Sequence, residues 1–372
     1  MEGGGSYNVH ARIPAGGGNL ALPYLEEAAR SCALPPGSGP IVIADYGSSQ
    51  GKNSLAPMRS AVRCLRTRVG SGRPIAVVHV DQHANDFNTL FAVLHNDPER
   101  YSMNDPDVFP SAIGRSFYEN VFPREGVALG WCSYAAVWLS RVPALIAGHF
   151  VALASTGDVR TAFDRQAGDD WRRFLTLRAR ELHPGGRLVV VLPGLSDAGV
   201  SGFEPLFNLA NAVLDELVDA RLISGDERKQ MVLGAYPRRR AQLLEPFNAE
   251  GQFQSLSVEH CEIFDLPDAA WVGYQRDGDI EALVGRHAAF FRAVFVPSLA
   301  SAVSDFGRRN TFADSLEQKL KHHLSERLTP FHSFVQVMVL AKQGPAVAPS
   351  SREGRIDNER RQSADFCRGE LS

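Results

Sequence analysis

The stretch IVIADYGSSQGKNS, residues 41–54, decides the fold of this chain. Its first four residues (41–44) form a short apolar run that is typical of a strand buried on both faces. A turn with glycines at Gly47 and Gly51 follows, and a helical pattern then runs over residues 53–68. This order of strand, glycine turn and helix brings backbone N–H groups and a helix N-terminus close to any ligand at the turn.

The same alternation continues along the chain. The run IAVVHV (75–80) predicts a second buried strand, and NDFNTLFAVLHN (85–96) predicts the helix after it. Further on, a helical pattern over residues 169–182 leads through a Pro-Gly-Gly turn into an apolar strand over residues 188–192. Alternating strands and helices predict an α/β fold with a doubly wound sheet and right-handed crossovers.

Changes in pattern divide the chain into five parts. The N-terminal part holds an amphipathic segment around residues 20–32. The part over residues 201–330 is mainly helical except for a strand-like FQSLSVEHCEIFDL. The tail is rich in Arg, Glu, Ser and Pro, a composition that predicts disorder. The predicted parts are an N-terminal segment (1–39), an α/β core (40–200), a helical cap (201–330), a strand returning to the core sheet (331–343) and the tail (344–372).

Composition excludes several classes of partner. A net charge of -3 over 372 residues provides no positive field for nucleic acid or an anionic bilayer. No stretch approaches the roughly 20 apolar residues that span a membrane, and no secretory leader is evident, so we expect a cytoplasmic protein. The five cysteines form no C-x-x-C pair, which predicts neither a disulfide framework nor a zinc site.

The glycine turn allows three interpretations. As a phosphate loop, it has Gly47 one residue too close to Gly51, and Asn53 stands where Ser or Thr belongs. As a G-x-S-x-G elbow, it would make Ser49 the nucleophile of a hydrolase. However, only one helix precedes it, and the best partner, His332, more simply begins a strand.

The third interpretation is the first loop of a methyltransferase-type nucleotide fold, with the pattern Asp45-x-Gly-x-x-x-Gly. It requires a second acid after the next strand, and Asp81 occupies that place. The interval from the glycine loop to Asp81 is longer than the usual spacing of about 20 residues, which implies a longer first helix and loop.

Several segments, in order, resemble the SABATH family of S-adenosylmethionine-dependent methyltransferases. Members methylate small carboxylic acids such as salicylate, benzoate and jasmonate, and one branch methylates xanthine nitrogens. The resemblance covers about residues 3–343 and implies a class I methyltransferase, Rossmann-like fold. It rests on GGGSY, PYLEEA, IADYGSSQGKNS, VDQHANDFNTLF, GRSFYENVFP, CSYAAVWLSRVP, WRRFLTLRARELHPGGRLVVVLPG, LDELVDARLIS and FVQVMVLAK.

The resemblance implies a set of cofactor-binding residues. Asp45 would shape the glycine loop, Asp81 would hold the ribose, and Gln82 stands beside adenine where the family usually has Leu. The other residues implied to contact S-adenosylmethionine, or its product S-adenosylhomocysteine, are Tyr7, Gly47, Ser48, Asn53, Ser116 and Phe117.

On the acceptor side, the resemblance implies that Tyr134, Trp138 and Phe207 wall the pocket, with the Trp138 indole N–H donating to the carboxylate. The N-terminal segment would act as a lid, but Pro14 replaces a Gln that helps to hold the carboxylate. Arg12 or His10 could take over that contact, since a guanidinium binds a carboxylate with two hydrogen bonds. The motifs to which a magnesium ion has been assigned in plant members are missing, so we expect no metal.

A carboxylic acid is already ionised at neutral pH, so transfer to it needs no catalytic residue. The protein would align the acceptor with the methyl group and exclude water. A phenol or ring-nitrogen acceptor would instead give His10, His79 or His149 a role. A binding protein without turnover is a further alternative. The resemblance also implies a homodimer, and the excess of Arg over Lys is associated with a bacterial genome.

Overall fold

The computed structural model describes residues 4–344, and its described strands form one mixed sheet. The sheet order is β3-β2-β1-β4-β5-β8-β7-β6, in which β1 to β5 are parallel and β8 runs antiparallel to β5. The predicted doubly wound α/β fold is therefore confirmed. The strands are β1 (Ile41–Tyr46), β2 (Ile75–Asp81), β3 (Val108–Gly114), β4 (Val127–Ser133), β5 (Leu182–Pro193), β6 (Gln252–Phe253), β7 (Leu256–Pro267) and β8 (His332–Lys342).

Helices cover both faces of the sheet. Ile43 on β1 packs with the core beneath α3, α4 and α5, whereas Ala44 and Tyr46 pack with α6 on the opposite face. Burial on both faces explains the apolar run that opens this strand. The helices are α1 (Ser6–His10), α2 (Arg12–Leu20), α3 (Leu22–Ser31), α4 (Leu55–Val69), α5 (Phe87–Asn96), α6 (Gly157–Glu181), α7 (Glu204–Asp219), α8 (Gly225–Gln230), α9 (Arg240–Leu244), α10 (Ala269–Asp277), α11 (Ile280–Val294), α12 (Val296–Ala300) and α13 (Arg309–Glu326).

The helices α7, α11, α12 and α13 share a second apolar core with several Phe side chains. The strand β7 lies within the range assigned to the cap, yet it pairs with β8 in the main sheet. The division into core and cap stays a prediction, and the predicted disordered tail lies outside the described residues, apart from residue 344. Within residues 4–344, no helix has the length and apolar character needed to cross a bilayer.

Two local structures differ from the sequence-based expectation. The Pro-Gly-Gly segment (184–186) forms a bulge inside β5 instead of a turn before it. Val127 on β4 pairs with Leu182 and Leu129 pairs with Arg187, so the register shifts and the residues between Leu182 and Arg187 bulge out of the pairing. The N-terminal segment forms α2 despite its three consecutive glycines. Tertiary packing overrides helix propensity there, since a Cβ on Gly17 would lie 2.3 Å from the hydroxyl of Tyr134.

A buried ion pair joins α6 to the strands. The guanidinium of Arg178 lies 2.9 Å from the carboxylate of Glu181, and both side chains are fully buried. Glu181 also accepts hydrogen bonds from the Tyr46 hydroxyl at 2.9 Å and from the Val121 N–H at 2.8 Å. Arg178 donates to the carbonyl of Phe117 at 2.9 Å. These contacts fix residues 117–122 against the sheet.

We expect Glu181→Ala to lower the free energy of unfolding by about 3–5 kcal/mol, because it leaves the buried Arg178 guanidinium without an opposite charge. Chemical denaturation measures this loss. Lys229→Ala, which breaks an exposed ion pair with Asp226, is the control and should leave stability nearly unchanged. A loss from Glu181→Ala no larger than that of the control would contradict the assigned role.

Candidate functional site

The glycine loop lies at the carboxyl end of β1, between β2 and β4. The N–H of Gly47 donates to the carbonyl of Val80 on β2 at 2.7 Å. Gly47 has a φ of 89°, and a Cβ added there would lie 2.1 Å from the Cβ of Ala135, which follows β4. Only glycine permits this approach. Because the strand order reverses at β1, the loop borders the crevice where open α/β sheets bind ligands.

Two carboxyl groups lie at this edge of the sheet. Asp45 is buried and accepts hydrogen bonds from Ser54 Oγ at 2.6 Å and from His79 Nδ1 at 2.8 Å. Asp81 accepts from the N–H groups of Ser49 at 2.6 Å and Gln82 at 2.8 Å. Burial and the nearby charge of Asp45 raise the pKa of Asp81, although its two N–H donors oppose the shift. This pair of acids favours a ligand that carries positive charge.

The N-terminal segment covers the loop. Burial, and to a lesser degree the charge of Asp81, raise the pKa of Tyr7, which therefore lies beside that carboxylate. Asn8 donates to the carbonyl of Gln50 and accepts from the N–H of Lys52, both at 3.3 Å. The Asn53 side chain donates to the carbonyl of Ala11 at 3.3 Å. Sequence reasoning missed Asn8, whose one signal is its place directly after Tyr7.

The remaining predicted cofactor residues surround the same loop. The hydroxyl oxygens of Ser48 and Ser49 are buried without a hydrogen-bond partner among the described residues. The ring of Phe117 is buried and lies 3.8 Å from the Cβ position of Gly47. Ser116 is half-buried and accepts from the Tyr118 N–H at 3.2 Å, whereas Gln82 is exposed at the end of β2. The loop thus offers unpaired hydroxyls beside one aromatic ring.

Aromatic side chains form the wall that faces the cap. The ring centroids of Trp138 and Phe295 are 6.5 Å apart, and those of Phe207 and Phe295 are 5.3 Å apart. Tyr7, Trp138 and Phe207 all pack against the cap core. Sequence reasoning missed Phe295 as a wall residue, although the run AAFFRAVF (288–295) signalled an aromatic helix face. This wall can accommodate a flat or apolar molecule.

Tyr134 lies beside Tyr7, and burial raises the pKa of the Tyr134 hydroxyl. Tyr134 has a φ of 56°, and the segment from Tyr134 to Trp138 is a turn instead of a helix. The two side chains therefore do not share a helix face. Their positions follow from the backbone of the turn after β4.

Arg12 does not join this group. It is exposed on α2, while the neighbouring Ile13 packs against the cap core and Pro14 is buried. His10 is the last residue of α1 and is half-buried. The predicted roles of Arg12 and His10 stay predictions.

A cavity of about 790 Å³ lies at the seam between α6, α7 and α9. Its lining includes Phe207, which was predicted to wall the acceptor pocket, and His149, which was given a role only for a phenol or ring-nitrogen acceptor. Arg160, Tyr236 and Arg239 also line it. His149 Nδ1 accepts from the N–H groups of Phe150 and Val151, and burial lowers its pKa. His149 is therefore held as a neutral imidazole.

The geometry does not support a serine hydrolase. Ser49 Oγ has no hydrogen-bond partner among the described residues. The Nδ1 of His79 bonds to Asp45, and its Nε2 bonds to Tyr101. His332 bonds to Asp265 at an exposed position. Within residues 4–344, no three potential metal-ligating side chains come together. The expected absence of a metal stays a prediction.

Comparison with known proteins identifies a family for this chain. Residues 1–343 match the family described as SAM-dependent carboxyl methyltransferases. Loganic acid O-methyltransferase of Catharanthus roseus is 32% identical over 53% of this chain, and salicylate carboxymethyltransferase of Clarkia breweri is 27% identical over 64%. These matches span 55% and 67% of the two relatives' own lengths. The relatives do not test the expected bacterial origin, which stays a prediction.

A solved loganic acid methyltransferase with SAH shares the fold. Its TM-score is 0.74 at 23% identity, over 94% of this chain and 100% of that one. Because the family match covers nearly the whole sequence, the chain belongs to the SAM-dependent carboxyl methyltransferase family, and the resemblance to SABATH proteins is confirmed.

Proposed function

We propose that this protein transfers a methyl group from S-adenosylmethionine to a small carboxylic acid and releases a methyl ester. The observation that carries the proposal is the pair of acids, Asp45 and Asp81, at a buried glycine loop that adjoins an aromatic wall. An aromatic acid such as salicylate or benzoate is the favoured acceptor. The relatives named above, which act on loganic acid and salicylate by their names, agree with a carboxylate acceptor.

The residues of the loop fit this cofactor. At neutral pH its sulfonium and ammonium outweigh its carboxylate, so its net charge is positive, and two nearby acids complement it. Asp81 would accept from the ribose hydroxyls, and the unpaired Ser48 hydroxyl would meet the methionine end. Tyr7, Gly47 and Asn53 complete that side. Ser116, Phe117 and Gln82 would border the ribose and adenine.

When bound, the cofactor supplies the methyl group on a sulfonium, from which a carboxylate oxygen displaces it directly. The acceptor is already ionised, so the chain needs no general base. Trp138 would donate its indole N–H to the acceptor. Its backbone is fixed, since its carbonyl accepts from the Tyr118 hydroxyl at 2.7 Å. Tyr134, Phe207 and the N-terminal lid would exclude water and align the acceptor.

We include a homodimer and a cytoplasmic location in the same proposal. The homodimer rests on the resemblance to the family, and light scattering of the purified protein tests the oligomeric state.

We expect Asp81→Ala to weaken S-adenosylmethionine binding at least about tenfold, because a hydrogen-bonded charge contributes about 1.5–3 kcal/mol. Calorimetry measures the Kd, and Asp226→Ala on the surface of α8 is the matched control. An unchanged Kd in Asp81→Ala would contradict the assigned ribose site.

We expect Trp138→Phe to raise the KM for the acid severalfold without changing the cofactor Kd, because it removes the indole donor and keeps an aromatic ring. Trp271→Phe on α10 is the control for this change in KM.

A second experiment identifies the acceptor. Methyl-labelled cofactor is incubated with a panel of aromatic, terpenoid and fatty acids and with xanthines. A base-labile labelled product supports the proposal. A base-stable product indicates nitrogen or phenol methylation instead, and cofactor binding without transfer to any acceptor indicates a binding protein.

We expect the thermal stabilisation by S-adenosylmethionine to increase with pH. The pKa of Asp81 is raised in the folded protein, so the protonated carboxyl is the form that folding favours. The stability that this group contributes is therefore present below its unfolded-state pKa and is lost as pH rises through its folded-state pKa. The cationic ligand favours the ionised carboxylate, so its effect on Tm should grow over the same interval. Calorimetric scans at a series of pH values, from the ordinary carboxyl pKa of about 4 upward and below the range in which the cofactor's amino group titrates, measure this. Equal pH dependence in Asp81→Asn would contradict the assignment.

A further inference from the structure

His79 lies behind the cofactor loop and has a hydrogen-bond partner on each ring nitrogen. It is fully buried on β2, directly opposite Asp45 in the strand register. Its Nδ1 is 2.8 Å from Asp45 Oδ2, and its Nε2 is 2.8 Å from the hydroxyl of Tyr101. The proposed function assigns no role to this side chain.

The two partners determine the direction of these bonds. A carboxylate only accepts, so Nδ1 carries the proton and donates to Asp45. Burial and the charge of Asp45 raise the pKa of Tyr101, so its hydroxyl keeps its proton and can donate to Nε2. Asp45 and Tyr101 together therefore fix the tautomer of the His79 ring, and Tyr101 holds its orientation from the side opposite Asp45.

The same oxygen of Asp45 also accepts from Ser54 Oγ at 2.6 Å, where the chain enters α4. His79 and Ser54 thus hold Oδ2 from two sides and prevent the carboxylate from rotating. Asp45 stands two residues before Gly47 at the end of β1, and its charge adds to burial in raising the pKa of Asp81. The position of the Asp45 carboxylate therefore bears on both the glycine loop and Asp81. The His79 ring hydrogen-bonds to Asp45 and to Tyr101.

We propose that His79 is a positioning residue for cofactor binding, which acts by fixing the Asp45 carboxylate at the end of β1, with Tyr101 fixing the His79 ring. This inference rests on the proposed function, because it concerns affinity for the same cofactor. The alternative is that His79 only fills space and stabilises the fold.

The cap provides a matched control. His287 is also buried, and its Nε2 lies 2.8 Å from Asp268 Oδ2. It packs against Phe331, away from the glycine loop. Removing either histidine leaves a buried carboxylate short of one donor. A merely structural role for His79 predicts that His79→Leu and His287→Leu behave alike.

The test measures the Kd of S-adenosylmethionine and of S-adenosylhomocysteine by calorimetry, together with thermal unfolding of each full-length variant. We expect His79→Leu to weaken binding about tenfold, because it removes a hydrogen bond to a charged group. His79→Asn can place an amide N–H near the position of Nδ1–H and should recover most of the affinity. Tyr101→Phe should weaken binding about threefold, and it keeps the test available if His79→Leu does not fold. His287→Leu should lower Tm and leave both Kd values unchanged.

A double-mutant cycle separates positioning from general destabilisation. In an Asp45→Asn background, we expect His79→Leu to change the Kd by less than about twofold, because both residues act through one carboxylate. Equal Kd values for wild type, His79→Leu and Tyr101→Phe would overturn the inference, as would additive effects in the cycle or no recovery in His79→Asn. A wild-type protein that binds neither ligand would overturn the proposed function, and the inference with it.

Discussion

The close approach of Gly47 to Ala135 is the constraint on which the site depends. No side chain fits at Gly47, since its Cβ would lie 2.1 Å from that of Ala135. This contact joins the end of β1 to the turn after β4. Tyr134 and Trp138 belong to that turn, while Asp45 stands two residues before Gly47 and Ser48 follows it directly. One glycine therefore sets the distance between the proposed cofactor loop and the proposed acceptor wall.

Charge is distributed unevenly across this site. The loop side has Asp45 and Asp81, and burial together with the charge of Asp45 raises the pKa of Asp81. The wall toward the cap is made of aromatic rings. Arg12, one of the two side chains expected to hold the acceptor carboxylate, is exposed on α2. The proposed acceptor carboxylate would be attracted by the positive cofactor and would meet the indole N–H of Trp138 at the wall. Such an arrangement suits transfer between a cation and an anion, because both lose charge in the product.

Much of the fold and part of the site could be predicted from the sequence. The uninterrupted apolar run at residues 41–44 identified β1, because a strand buried on both faces has no polar face. Asp81 could be singled out because the acid after the second strand must lie at the same sheet edge as the glycine loop. The bulge at residues 184–186 could not be predicted, since a Pro-Gly-Gly sequence permits a turn as readily as a bulge and only pairing with β4 decides between them.

The sequence by itself determined the order of strands and helices, the glycine turn and the family, because these follow from local patterns and from motifs in a fixed order. Only the tertiary structure decided which side chains meet. Asn8 reaches the glycine loop from α1, Phe295 connects Trp138 with Phe207, and Tyr101 bonds to His79. Apart from Tyr101 and His79, these partners are separated by more than 40 residues along the chain. Contacts at such separations depend on how the sheet, the lid and the cap pack together, and no local pattern encodes that packing.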